Sequence, residues 1–147
     1  MLDNLLRNCT LQAICALQFM QLYAVELSAD ELRKSPVPDA IVARAQFTTE
    51  IVNREPVDQV VKLDSQVTRV FFFTDLRNLQ GRTITHRWEF EGEVVSEVEF
   101  NVAGPRWRVY SAKSLNPGES GKWTVFVIDE SGWPLHASIF EHGVMEE

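Results

Sequence analysis

Apolar and polar positions alternate along most of the chain after Pro38. From Ile41 to Val52, the residues Ile41, Ala43, Ala45, Phe47, Thr49 and Ile51 fall on one face, with Val42, Arg44, Gln46, Thr48 and Glu50 on the other. This period of two is that of a half-buried strand. Val67 to Thr74 contains Val70-Phe71-Phe72-Phe73, apolar on both faces, which predicts a central strand covered on each side. Asp75 to Gly81 reads as a polar loop. In the stretch Thr83 to Trp107, Ile84, His86, Trp88 and Phe90 share a face, Glu91-Gly92-Glu93 turns the chain, and Val94, Ser96, Val98, Phe100 and Val102 form the returning face. A two-residue loop pairing Phe90 with Glu93 would set Glu97 and Glu99 against His86 and Ile84. A three-residue loop, or one bulge, pairs Phe90 with Val94 and aligns the two apolar sets, so that is the expected register. Thr85, Arg87 and Glu89 then face solvent beside Val95, Glu97 and Glu99.

Further strands follow at similar spacing. Gly104-Pro105 turns the chain into Arg106–Ala112, with Trp107 and Val109 on one face and Arg106, Arg108 and Tyr110 on the other. Lys122 to Ile128 is apolar on both faces, Asp129-Glu130-Ser131-Gly132 is a strong turn, and Trp133 to Glu141 is a last strand. Six to eight short strands with no convincing helix after Pro36 predict an all-β fold: a single antiparallel, immunoglobulin-like β-sandwich over 41–141, with Trp88 or Trp123 as its core tryptophan. Residues 142–147 read as an acidic tail with little reason to be ordered.

The N-terminal part follows a different pattern. Leu11 to Val25 is mostly apolar, but too short and too rich in glutamine (Gln12, Gln18, Gln21) for a membrane span. The expected reading of residues 1–24 is a signal peptide cut after Ala24, with an amphipathic helix as the alternative. Residues 25–40 read as a linker, with a capping-box pattern at Ser28 and Glu31 and a break at Ser35-Pro36-Val37-Pro38. The resulting localisation is periplasmic or exported, against a cytoplasmic alternative. A membrane would be touched only through an uncleaved N-terminal segment.

Composition narrows the function classes. The 147 residues, 45% hydrophobic and 24% charged, make one domain with a full core. A net charge of −7 argues against a general nucleic-acid binder. Both cysteines, Cys9 and Cys15, lie near the N-terminus, so the body has neither a disulfide framework nor thiol chemistry. A Cys/His zinc site is thereby excluded from the body, though one of histidines and carboxylates is not; no metal or cofactor is expected.

Thr85-His86-Arg87-Trp88, Gly104-Pro105-Arg106-Trp107-Arg108, Gly121-Lys122-Trp123 and Asp129-Glu130-Ser131-Gly132-Trp133-Pro134-Leu135 resemble a bacterial domain-of-unknown-function family. Its members are small exported proteins or ends of membrane proteins. The resemblance covers about Val42 to Phe140. It implies a compact β domain outside the cytoplasm and assigns no activity and no catalytic residues.

The remaining chemistry is sparse. No serine elbow, HExxH or P-loop occurs, so no catalytic residue is expected. His86, on the apolar face with Trp88, reads as a hydrogen-bonded core histidine. A small hydrolase using His86 or His136 with a nearby carboxylate is the enzymatic alternative, and a purely structural accessory domain is the third reading. Trp107, Trp123 and Trp133 each begin a strand after a turn and could cluster at one end, near Arg82, Arg106, Arg108 and Lys122. Guanidinium groups beside aromatic faces suit an anionic or sugar-like ligand. The expected function is therefore a non-catalytic binding or interaction module of the bacterial envelope. Its candidate site is Arg106, Trp107, Arg108, Lys122 and Trp133, and its partner an envelope glycan or another protein. The arginines and Trp107 could share a surface only if a twist or bulge opens the strand, because neighbouring strand positions point to opposite faces.

Overall fold

The computed structural model describes residues 41–143. The expected signal peptide and linker, and the last four residues of the expected tail, lie outside the described residues. The strands are β1 (Ile41–Thr48), β2 (Ile51–Val52), β3 (Glu55–Pro56), β4 (Lys62–Asp64), β5 (Arg69–Arg77), β6 (Thr83–Phe90), β7 (Glu93–Asn101), β8 (Arg106–Ser114), β9 (Gly121–Asp129) and β10 (Pro134–Gly143). They form one sheet in the order β1-β5-β8, a second in the order β4-β10-β9-β6-β7, and a small β2-β3 hairpin. Read as immunoglobulin strands, β1, β5 and β8 are A, B and E, while β6, β7, β9 and β10 are C, C′, F and G. All pairings are antiparallel except β4 with the end of β10, which is parallel.

The core lies between the two sheets. Phe72 and Leu76 of β5, Ile84 and Trp88 of β6, Val125 and Val127 of β9 and Phe140 of β10 are completely buried. Trp88 occupies strand C, as the core tryptophan of an immunoglobulin domain does. The disulfide that such domains pack against it is replaced by aromatic contacts, at 5.9 Å to Phe47, 6.3 Å to Phe72 and 6.4 Å to Trp123 between ring centroids.

Four strand-level expectations need correction. The polar loop expected from Asp75 to Gly81 begins only after Arg77, because β5 runs through it with Asp75 and Leu76 fully buried. In β1 a bulge falls between Val42 and Arg44. It turns Val42 onto the core and leaves Ile41 exposed, and the chain breaks after Thr48 instead of running to Val52. The β6–β7 hairpin has a two-residue turn, Glu91-Gly92, with φ of 48° and 86°, values that match the twist of paired strands. Phe90 therefore pairs with Glu93, not Val94, and a bulge after Trp88 restores the apolar register, so that Trp88 faces Ser96, His86 faces Val98 and Ile84 faces Phe100. Finally, β10 runs on to Gly143, and His142 is buried with Nε2 donating to the Val67 carbonyl at 3.1 Å. The expected tail thus begins two residues inside a strand.

Candidate functional site: an arginine-rich sheet face

Strand β8 pairs with β5 in unbroken register, with Tyr110 opposite Phe73, Arg108 opposite Asp75 and Arg106 opposite Arg77. Across β5, Arg44 of β1 also faces Asp75. Alternation then sends Arg44, Arg77, Arg106, Arg108 and Tyr110 to the outer face of this sheet, and Trp107 and Val109 to the core. Trp107 is half-buried against the core cluster, its ring near Gly104. With no bulge at the start of β8, it does not share the arginine surface.

Two carboxylates organise the four guanidinium groups. Asp75 is fully buried, and its Oδ2 accepts from Arg77 at 3.1 Å and Arg106 at 3.0 Å. Its Oδ1 has no hydrogen-bond partner among the described residues. Glu55, carried by the β2-β3 hairpin, accepts from Arg44 at 2.9 Å and also from Arg108. Hydrogen bonds from Arg44 and then Arg108 hold the Glu55 carboxyl below the ordinary carboxylate range. Arg54 donates to the Arg108 carbonyl, and Arg44 lies 5.0 Å above the Phe73 ring. The hairpin is itself tethered by Asp58. Burial raises the pKa of Asp58, but hydrogen bonds from Thr48 and Thr49 outweigh this and lower it overall. Arg106 remains 55% exposed, and Tyr110, in edge contact with Phe71, is 46% exposed.

The other sequence candidates are dispersed. Trp123 is buried in the core near Phe90. Lys122 is exposed at that same end of β9, opposite Glu141. Trp133 is 57% exposed at the other end, in the turn between β9 and β10. That turn is built on Asp129, whose Oδ1 accepts from the Ser131 amide and hydroxyl and from the Trp133 amide. Arg82 clamps the turn through Asp129 Oδ2 at 3.1 Å and Glu130 at 2.9 Å. The three tryptophans therefore do not cluster.

His86 and His136 both sit opposite Val127, on either side of β9, while His142 lies at the far end of β10. His86 is fully buried, its Nε2 3.0 Å from Thr74 Oγ1 and its Nδ1 2.9 Å from Ser111 Oγ, which also accepts from Trp88 Nε1 at 3.0 Å. Burial lowers its pKa to about 3, so it is neutral across physiological pH. The Ser111–His86 pair resembles a nucleophile and base, but both groups are buried, His86 completely and Ser111 nearly so. His136 lies 3.0 Å from Ser138 on its own strand. Among the described residues no three His, Cys, Asp or Glu side chains are placed to hold a metal ion.

Glu55, Asp75, Arg44, Arg77 and Tyr110 were not in the expected site. The Arg106/Arg108/Tyr110 alternation was a usable signal for the face. Nothing local in the sequence places Glu55 over it.

The fold and face define an immunoglobulin-like β module with a half-exposed basic surface. Residues 81–141 match the family described as "Protein of unknown function (DUF2914)". That stretch begins just before β6 and is shorter than the expected span from Val42 to Phe140. No curated protein matches the chain. Among solved structures, it is similar to the CARDB domain of the PF1109 protein from Pyrococcus furiosus, crystallised in complex with di-metal ions. The sequences are 10% identical, the alignment covers 76% of this chain and 96% of that one, and the TM-score is 0.42.

Proposed function

We propose that this domain is a non-catalytic binding module whose outer β1-β5-β8 face receives an anionic partner. The observation that carries the reading is the excess of charge there: among the described residues, Arg44, Arg77, Arg106 and Arg108 share only Asp75 and Glu55 as ion-pair partners. Guanidinium groups keep their charge at any physiological pH and offer paired donors suited to carboxylates, sulfates and phosphates. On a chain of net charge −7, a local patch of opposite sign attracts a polyanion that the rest of the surface repels. The sealing of His86 and Ser111 inside the core supports a binding role over the hydrolase alternative.

Retention on immobilised heparin at low salt tests this. The parent is expected to bind with a steep salt dependence, and Arg106→Gln/Arg108→Gln to elute at markedly lower salt. Absence of binding, or equal elution of the two proteins, overturns the reading. We further propose that the module works outside the cytoplasm. The apolar Leu11–Val25 stretch and the cysteine-free body support this. Mass spectrometry of the natively expressed protein is expected to find a chain starting at Val25, and an intact cytoplasmic chain counts against it.

A further inference from the structure

The sandwich has a second outer face, across β7, β6 and β9, and its charge is opposite. A hollow of about 470 Å³ there is lined by Thr83, Thr85, Glu97, Glu99, Glu130 and Arg87, among others. Arg87 is held by Glu89, 3.0 Å away, and lies 5.0 Å from the Phe126 ring. Among the described residues, neither Glu97 nor Glu99 has an ion-pair partner, and both are exposed. The molecule thus shows a part-exposed guanidinium face on one side and a hollow lined by carboxylates on the other.

We propose that the anionic partner of the arginine face is the carboxylate hollow of a second copy of this chain, so that the domains stack face to opposite face. This rests on the reading that the β1-β5-β8 face takes an anionic partner. The two faces point away from each other and cannot neutralise one another within one molecule. Arg106 and Arg108 lie on β8, an edge strand of the first, where Arg106 is the most exposed of the four guanidinium groups, and Glu97 and Glu99 are the carboxylates of the second without ion pairs among the described residues. Such a contact joins different surfaces of the two copies, so it leaves one of each free and extends without closing. A face three strands wide and nine residues long spans roughly 14 by 30 Å, about half of the ~800 Å² per partner in a standard interface. The stack is therefore weak, reversible and sensitive to salt.

Sedimentation velocity on the full chain, over a concentration series at low and high salt, tests the proposal. The parent is expected to show a sedimentation coefficient that rises with concentration past that of a dimer, and to return to monomer in high salt. Arg106→Gln/Arg108→Gln keeps Arg77 on the buried Asp75 and retains the acidic hollow. Glu97→Lys/Glu99→Lys retains the arginine rim. Each variant alone is expected to stay monomeric, while their equimolar mixture forms a dimer and stops there. Thermal melts of both variants establish that they are folded. A parent that is monomeric throughout, or a mixture that associates no more than its components, overturns the inference. If heparin retention persists in that case, the binding face stands and only its occupant is wrong; if retention is also absent, both readings fall.

Discussion

The ring of Phe90 lies directly against the backbone of Gly121: a Cβ placed there would come within 2.5 Å of Phe90 Cε2 and 2.6 Å of Cζ. The φ of Gly121 is not in the left-handed region, so the glycine is there for close approach and not for a turn. Gly121→Ala is expected to cost about 1–3 kcal/mol, as overpacking does. The same substitution in a Phe90→Ala background should cost much less, because the ring clash has gone and the remaining close atom, Glu91 Oε1 at 2.7 Å, is the end of a flexible side chain. Urea unfolding of the four proteins measures the coupling, and additive costs would refute the steric account.

Trp88 and Ser111 hold the two sheets together by packing and by one hydrogen bond. Trp88→Ala is expected to lose about 3–5 kcal/mol. Ser111→Ala leaves a buried indole N–H and a histidine nitrogen short of a partner, at about 1–3 kcal/mol. Chemical denaturation reads both. A Trp88→Ala protein that melts within a degree or two of the parent would contradict its core position.

Stability should depend on pH through His86. Its folded pKa, about 3, lies below the ordinary histidine value of 6.5. Between these values the unfolded chain binds a proton that the folded one does not, so stability falls as pH falls through that window, and its contribution is fully present above it. The slope attributable to this one group is about 1.4 kcal/mol per pH unit within the window. His86→Gln is expected to flatten the dependence relative to the parent, whatever its own stability. Parallel curves for the two proteins between pH 6 and pH 4 would disprove it, on a titration expected to span about two units there.

Arg82 is nearly buried, and Asp129, its partner, more so. Arg82→Met strands the Asp129 carboxylate and is expected to cost about 3–5 kcal/mol. Hydrogen exchange of the Ser131, Gly132 and Trp133 amides should accelerate more than that of Val125 or Val127. Uniform acceleration would mean that the clamp acts on the whole domain and not on the turn.

The sandwich was legible because its signals are local. Alternation along β6, β8 and β9 needs no knowledge of the rest of the chain, and the apolar Val70–Phe73 run marks a central strand. The bulge at Ala43 was not, since an extra residue shifts every later side chain without altering composition, and in the hairpin the apolar sets called for a bulge or longer loop without saying that the bulge falls after Trp88 and the turn has two residues. Arg106 and Arg108 were recognised, but the pairing of Trp107 with them contradicted the period of the strand, and the period prevailed. Glu55 and Asp75 belong to the arginine face only through contacts between β3, β5 and β8, which depend on how a hairpin folds back over a sheet. Ser111 hides for the same reason: a serine in a strand says nothing of a buried histidine twenty-five positions away.

The lone parallel pairing, β4 with the end of β10, bears on how the domain carries tension. The chain enters β1 at Ile41, opposite Arg77, beside the β5–β6 and β9–β10 turns, and leaves β10 at Gly143, at the far end of the sandwich. A pull between those points loads β1 against β5 first, and once β1 has come away it slides β4 and β10 lengthwise past each other. The rungs between Lys62–Asp64 and Glu141–Gly143 are loaded together instead of opening one after another. Placed in line between two attached segments, this domain resists stretching in shear, with the short β4 strand as its mechanical latch.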